Sequence, residues 1–224
     1  MTPALSAVYD ELLARAAVAP FRDSSERLRR AFFDRTGVVD EEGLTFAVRL
    51  AAAWEDVLIG RDAEGGCLAE TLGGTLEDEA ERDIAHLLAR GQRGLFELQK
   101  EGDVRFLYDH LAGGSFLLLR GDPLGRATAG GDEGRSLVVG RLVGAYDGCT
   151  LLPGPIWLPA TATPLLPDLL TEARARALAR DTILDALLRM DNALATLSRV
   201  KPAFAFRVQS LPFAHRTEGK APKA

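Results

Sequence analysis

Asp109-His110 sets a carboxylate beside an imidazole at the end of an apolar run, just before the turn-like Leu111-Ala-Gly-Gly-Ser115. An imidazole oriented by an acid can take a proton from a nucleophile, and Ser115 or Cys149 would be the hydroxyl or thiol it serves. Asp109 and His110 therefore stand as candidates for a hydrolase-like site, together with the loop 121–135. No Gly-x-Ser-x-Gly elbow supports them, and a turn-capping Asp next to an exposed His is the ordinary alternative. A second constellation, Glu79, Asp83 and His86, puts two carboxylates and an imidazole on one helix face. A carboxylate-x-x-His pair is half of a di-metal ligand set. The chain has only three histidines, His86, His110 and His215, and no second motif, so the reading is a solvated face with Arg82 and Arg90 as ion-pair partners and no metal site.

Gly130-Gly131-Asp132-Glu133 reads like the hairpin signature of diguanylate cyclases, in which glycines admit a nucleotide and carboxylates hold its metal. That signature continues with an aromatic, and here the position is Gly134. The surrounding polar, glycine-rich stretch lacks the apolar strand that would lead into such a hairpin, so it reads as a connection. No cofactor motif is found elsewhere. The run from Leu95 to Leu158 has a likeness to small bacterial β-domains, but it rests on turn residues and alternation and indicates no family.

Charge limits the partners. The 224 residues carry a formal net charge of -5, against the dominant basic surface that wrapping a nucleic acid requires. Residues 199–224 are the exception, with six basic residues against the single acid Glu218, a net of +5. Arg199, Lys201, Arg207, Arg216 and Lys220 are thus the weak candidates for touching nucleic acid. Cys67 and Cys149 are too few for a disulfide scaffold or a thiolate zinc site. No run approaches the ~18 apolar residues of a membrane span, and a soluble, cytoplasmic protein is expected.

The elements that would position these groups fall in blocks. Residues 1–92 read as a helical unit: a first helix capped by Thr2-Pro3 with Leu5, Val8, Tyr9, Leu12 and Leu13 inward, a second after Ser24 or Ser25 with Leu28, Phe32 and Phe33, a third over 41–58, and a fourth over 76–90 capped by Thr75. Residues 93–160 change to a period of two and read as a small antiparallel sheet or barrel, with Phe96 and Leu98 facing Val104, Phe106 and Tyr108, and a hairpin turning at Asp147-Gly148. Residues 161–213 read as a helical pair, the second helix capped by Asp181, followed by an edge strand through Phe204, Phe206 and Val208. Residues 214–224 read as a disordered tail.

The fold class is therefore α+β. In the last helix Ile183, Leu187, Met190, Leu194 and Leu197 recur at heptad spacing over two repeats, a core stripe that is also the candidate interaction seam. The leading expectation is a non-enzymatic interaction or adaptor protein with a protein partner or a second copy of itself. The alternatives are a nucleic-acid-associated regulator and the hydrolase-like enzyme.

Overall fold

The computed structural model describes residues 1–61, 65–119, 137–145, 148–197 and 200–213. The architecture is α+β, helices packed on a curled antiparallel sheet. Helix α1, Pro3–Ala16, begins as anticipated: Thr2 Oγ1 accepts the Leu5 N–H at 3.3 Å, and Leu5, Val8, Tyr9 and Leu12 are buried. Helix α2, Arg22–Thr36, starts before the serines and stops at Gly37, whose φ of +100° suits glycine. Helix α3 is Phe46–Ile59, starting five residues later than the periodicity implies and leaving Leu44 fully exposed. The periodicity puts Leu44, Ala47, Leu50, Ala51, Trp54 and Leu58 inward, and of these only Leu58 is buried. Arg49, Ala53, Glu55 and Val57 are buried while Ala47 is exposed and Leu50 and Trp54 are partly so. An apolar-stripe reading sends Arg49 and Glu55 to solvent, whereas here each has found a partner inside.

Helix α4, Leu68–Gly73, was not foreseen, and α5, Glu79–Ala89, is shorter than expected. Its cap is Asp78, which accepts from the N–H groups of Ala80 and Glu81 at 2.7 and 3.1 Å. Thr75 is otherwise engaged: its hydroxyl donates to the Leu72 carbonyl and accepts from Arg15, each at 2.7 Å.

Among the described residues six strands follow: β1 Gln92–Glu101, β2 Val104–Asp109, β3 Ser115–Leu117, β4 Leu137–Ala145, β5 Gly148–Leu151 and β6 Ile156–Trp157. The order is β3-β2-β1-β4-β5, antiparallel throughout, with β6 also pairing β4. The sheet curls until its two edges meet, where Leu118 bridges Cys149 and the Leu119 N–H donates to the Cys149 carbonyl at 2.8 Å. Curling in this way covers strand edges that would otherwise invite pairing.

Two registers differ from the expectation. Glu101 faces Val104, so the turn is Gly102-Asp103, and a two-residue turn always joins positions of opposite parity. Phe96 and Leu98 therefore face Asp109 and the buried Leu107, not Phe106 and Tyr108. Gly148 is likewise a strand residue opposite Ala145, and Asp147 lies outside the described residues.

After a 3-10 turn at Ala160–Leu165 come α6, Leu166–Ala175, and α7, Arg180–Thr196. Asp181 sits in the first turn of α7 instead of capping it, and the cap position, Ala179, offers no side-chain acceptor. The edge strand does not form. Residues Pro202–Ala205 make a short helix, α8, and Val208–Ser210 a 3-10 turn, with the Phe206 N–H bonded to the Pro202 carbonyl at 2.8 Å. Proline at the first helical position preorganises that turn, and one turn of helix separates Phe204 (63% exposed) from Phe206 (2%) despite their shared parity.

One apolar cluster joins all three blocks of sequence, drawing Phe32 and Ala53, then Leu95, Val139 and Ile156, then Leu166, Leu184, Leu187 and Phe206. A second packs α1, α4 and α5 around Leu12, Leu72 and Leu88, and a third fills the curled sheet with Phe96, Leu107, Val138 and Leu151. No helix among the described residues is long and apolar enough to cross a membrane.

The tightest joint between sheet and helices is Gly154. A Cβ there would lie 2.4 Å from the backbone N and 2.6 Å from the Cα of Ala52 on α3. Backbone atoms cannot step aside as a side-chain tip can. Gly154→Ala should cost about 1–3 kcal/mol, read as a lower urea midpoint at unchanged slope, and an unaltered midpoint would mean that this joint is loose.

Candidate functional site

Register places Arg93 of β1 directly opposite Arg141 of β4, so two guanidiniums leave the same face of the sheet side by side. Both are buried, at 9% and 7% exposure. Like charges in that position repel, and the helices supply the remedy. Asp185 of α7 accepts from Arg93 Nη1 at 2.7 Å, and Asp56 of α3 accepts from Arg141 Nη2 at 3.2 Å. Arg35 of α2 then bridges the two acids, Nε to Asp185 at 2.8 Å and Nη2 to Asp56 at 2.6 Å. Five charged side chains from five elements thus form one arc, Arg93–Asp185–Arg35–Asp56–Arg141.

Glu55 lies behind this arc. It is buried and accepts the Gly154 N–H at 2.6 Å. Burial pushes its pKa up to about 7, although the Gly154 hydrogen bond and the charges of Arg141 and Arg93 pull the other way. It shares a water-sized chamber of about 10 Å³ with Arg93 and Arg141. Among the described residues Arg93 Nη2 and Arg141 Nε are buried without a hydrogen-bond partner, the Arg93 guanidinium lying 5.6 Å from the centre of the Phe32 ring. Arg49, fully buried, is a separate anchor, donating to the Leu188 carbonyl at 2.6 Å and to Asp191 at 3.3 Å, and burial lowers its pKa.

In front of the arc open two adjoining chambers of about 530 and 260 Å³, which share Asp56, Gly60, Arg61, Arg93 and Asp181 as lining. Together they form a cleft between the sheet, the end of α3 and the first turn of α7. None of its residues was a candidate on sequence grounds. The available signal was weak: single arginines inside otherwise apolar strands, Arg141 within Leu137-Val-Val-Gly-Arg-Leu-Val143, whose depth only the pairing of distant acids explains.

The candidates read from sequence lie elsewhere: Asp109 and Cys149 both line a separate chamber of about 210 Å³ in the curled sheet, but His110 and Ser115 are not among its lining residues. Asp109, 1% exposed, anchors a turn: Oδ1 accepts from the N–H groups of Leu111 and Ala112 at 2.8 and 3.3 Å, and Oδ2 accepts from Arg180 Nη2. His110 turns to a different acid, with Nε2 3.0 Å from Glu97 Oε2 and its ring edge-on to Tyr108. Ser115 stands opposite Tyr108, while the Cys149 thiol is buried in the curled sheet, where burial raises its pKa and keeps it protonated. Glu79, Asp83 and His86 are all exposed on α5, and Arg82 donates to the carbonyls of Leu76 and Glu77 instead of to those acids. Among the described residues no three His, Cys, Asp or Glu side chains gather as a metal site.

Of the heptad stripe, Ile183, Leu187 and Met190 are buried in this chain's own core, Leu194 packs against it, and Leu197 is 55% exposed. Lys201 and Arg207 are exposed. Arg199, Arg216, Lys220 and the stretch Gly130–Glu133 lie outside the described residues. No family model matches the chain, and comparison with curated proteins and with solved structures gave no match.

Two stability measurements probe the arc. Asp185→Asn leaves the buried Arg93 without its counter-charge, a loss of about 3–5 kcal/mol; a loss under 1 kcal/mol in chemical denaturation would show that water already neutralises it. Glu55 has the opposite logic. Its folded pKa, about 7, lies above the ordinary 4.5, so the folded state holds the proton more tightly. The resulting stability is complete below pH 4.5 and is lost as pH rises through 7, by ~3 kcal/mol at 1.36 kcal/mol per unit. Glu55→Gln keeps an acceptor for Gly154 and should flatten that decline between pH 5 and 8. Parallel curves for the two proteins would contradict it.

Proposed function

We propose that the protein acts by docking a partner, as a non-enzymatic interaction or adaptor protein. The observation that carries this reading is an apolar end of the molecule. Val38 (74% exposed), Leu44 (fully exposed), Leu197 (55%) and Phe204 (63%) belong to segments that meet at the C-terminal end of α7. Asn192 of α7 donates to the Val38 carbonyl at 2.9 Å, Arg49 ties the start of α3 to Leu188 and Asp191, and Val200, on the way to α8, bonds back to Leu197. Single exposed apolar residues are ordinary on any surface; several at one end are what a partner's apolar face would cover.

The heptad stripe contributes only its last member, Leu197, because using Ile183, Leu187 and Met190 would require opening the core. Two buried cysteines without a disulfide fit a cytoplasmic setting for this role.

The test compares wild type with the double substitution Leu44→Glu and Phe204→Glu, which alters exposed side chains only. Sedimentation of the purified protein reads self-association, and a tagged-bait capture at physiological and high salt reads another partner. A complex that survives high salt and vanishes in the variant supports docking through this end. A complex unaffected by the substitutions excludes it, and nucleic acid retained only at low salt would transfer the reading to the basic C-terminal segment that includes Lys201 and Arg207.

A further inference from the structure

We propose that the open end of the curled sheet binds a small carboxylic acid with an apolar body, its carboxylate paired with Arg90 and its body seated against Phe116, Leu142 and Cys149. The site is independent of the apolar end of the molecule and follows from the pattern of the strands. Val138, Gly140, Leu142 and Gly144 of β4 share the inner face of the curl, because alternate residues of a strand point the same way. Register sets Phe96, Gly94 and Gln92 of β1 against the first three, and Leu151 and Cys149 of β5 against the last two. Side chains ordinarily fill the inside of so small a curl. At its end the facing pair is Gly144 and Cys149, and the filling stops short.

The other two glycines of this face are covered by neighbours. A Cβ at Gly94 would lie 2.5 Å from the Phe96 ring, and one at Gly140 would lie 3.1 Å from Leu151, so side chains already occupy that space. A Cβ at Gly144 would meet only Cys149 Sγ, at 3.2 Å. The space left there is the chamber of about 210 Å³, with Arg90, Gln92 and Gly144 as its exposed rim. Phe116 is half-buried, and Leu142 and Cys149 keep 6% and 9% of their surface, so the apolar wall is reached from outside. The Phe96 ring backs that wall, edge-on to Phe116 with centroids 6.3 Å apart. An apolar cavity of about 150 Å³ admits a benzene-sized molecule. This chamber has room for a ring or a short alkyl chain with a polar group.

Charge selects the acid. Asp109 also lines the chamber, but it is 1% exposed and already accepts from Leu111, Ala112 and Arg180, so it has nothing to offer an amine. Arg180 is spent on Asp109 and on the Arg93 carbonyl. Cys149, kept protonated by burial, adds no charge. Arg90 is the exception: it is exposed, and among the described residues no acid or carbonyl engages its side chain. Its place at the C-terminal end of α5 does not occupy it either, because Arg61 donates to the Ala89 carbonyl at 3.4 Å and Arg141 to the Gly91 carbonyl at 3.2 Å. A guanidinium fork without a partner beside an apolar wall suits a molecule with a carboxylate at one end and hydrocarbon at the other.

The test adds benzoate and hexanoate to the full chain, with benzyl alcohol as an uncharged counterpart and acetate as the carboxylate alone. Binding is followed by NMR titration and by the rate at which iodoacetamide alkylates Cys149, read peptide by peptide in mass spectrometry. Wild type should bind benzoate or hexanoate saturably, benzyl alcohol more weakly and acetate not at all, and the bound acid should slow alkylation of Cys149 but not of Cys67. Arg90→Gln should weaken binding of the acids roughly twofold to fivefold and leave benzyl alcohol unchanged. Gly144→Val puts a side chain into the chamber and should abolish binding of every probe; the exposed Arg90→Gln decides the matter if that variant does not fold. Preference for benzoate would assign the wall to a ring and preference for hexanoate to a chain, and either supports the site. Absence of saturable binding by both acids, Cys149 alkylated at an unchanged rate, benzyl alcohol bound as tightly as benzoate, or acids indifferent to Arg90→Gln would overturn it.

Discussion

Two arginines that face each other across neighbouring strands determine how the rest of this chain can pack. The β1–β4 register sets Arg93 against Arg141, and both point to the side where the helices must bury the sheet. Apolar residues around them, Leu95, Val139 and Ile156, supply the driving force for covering that face. Area alone does not say where each helix sits. The charges do: α7 must bring Asp185, α3 must bring Asp56, and α2 must bring Arg35 between them. Sliding α7 by one turn would carry Asp185 about 5.4 Å along the axis, beyond reach of both arginines. Hydrophobic burial is thus the source of stability, and the arc is the source of register.

Close approach is the second requirement, and glycines provide it. Gly94 lies where a Cβ would come within 2.7 Å of Arg180 Nη2, and the gap lets that side chain cross β1 to Asp109. Arg180 thereby holds the start of α7 against both the Arg93 carbonyl and the turn after β2. At the other side Gly154 lies on the α3 backbone and delivers its N–H to Glu55. The acid that seemed a catalytic candidate in sequence, Asp109, is the fixed point of this bracing.

Periodicity and caps revealed the elements that depend on their own sequence. The Thr2-Pro3 start, the stripe of α1 and the shift to period two near Gly94 all depend on neighbours a few residues away. Failures occurred where a distant partner decides. Arg49 and Glu55 are inward on α3 because Leu188 and Gly154, more than 90 residues on, accept and donate to them. Phe204 and Phe206 alternate like a strand, yet Pro202 starts a turn of helix. The cleft was illegible for the same reason: its charged groups come from residues 35, 56, 93, 141 and 185, and no spacing along the chain links them.

Whether such an arc is only a device for register can be argued from its charge. Ion pairs buried for specificity alone work best when balanced, because every unmatched charge adds desolvation cost without adding selectivity. Here three arginines meet two aspartates, but Arg35 is 44% exposed and keeps its charge in water, so the buried members are balanced. Glu55 stands outside this balance, because its burial holds the carboxyl near half-protonation around neutral pH. Replacing Arg141 by an apolar residue would free Asp56 to serve Arg35 alone and leave Arg93 with Asp185, a neutral set of four that fixes the same helices. The arc retains Arg141, which also donates to the Gly91 carbonyl at 3.2 Å and so ties the start of β1 to β4. Register thus accounts for the two aspartates and the two buried arginines, and Arg35 joins α2 to them from the solvent side.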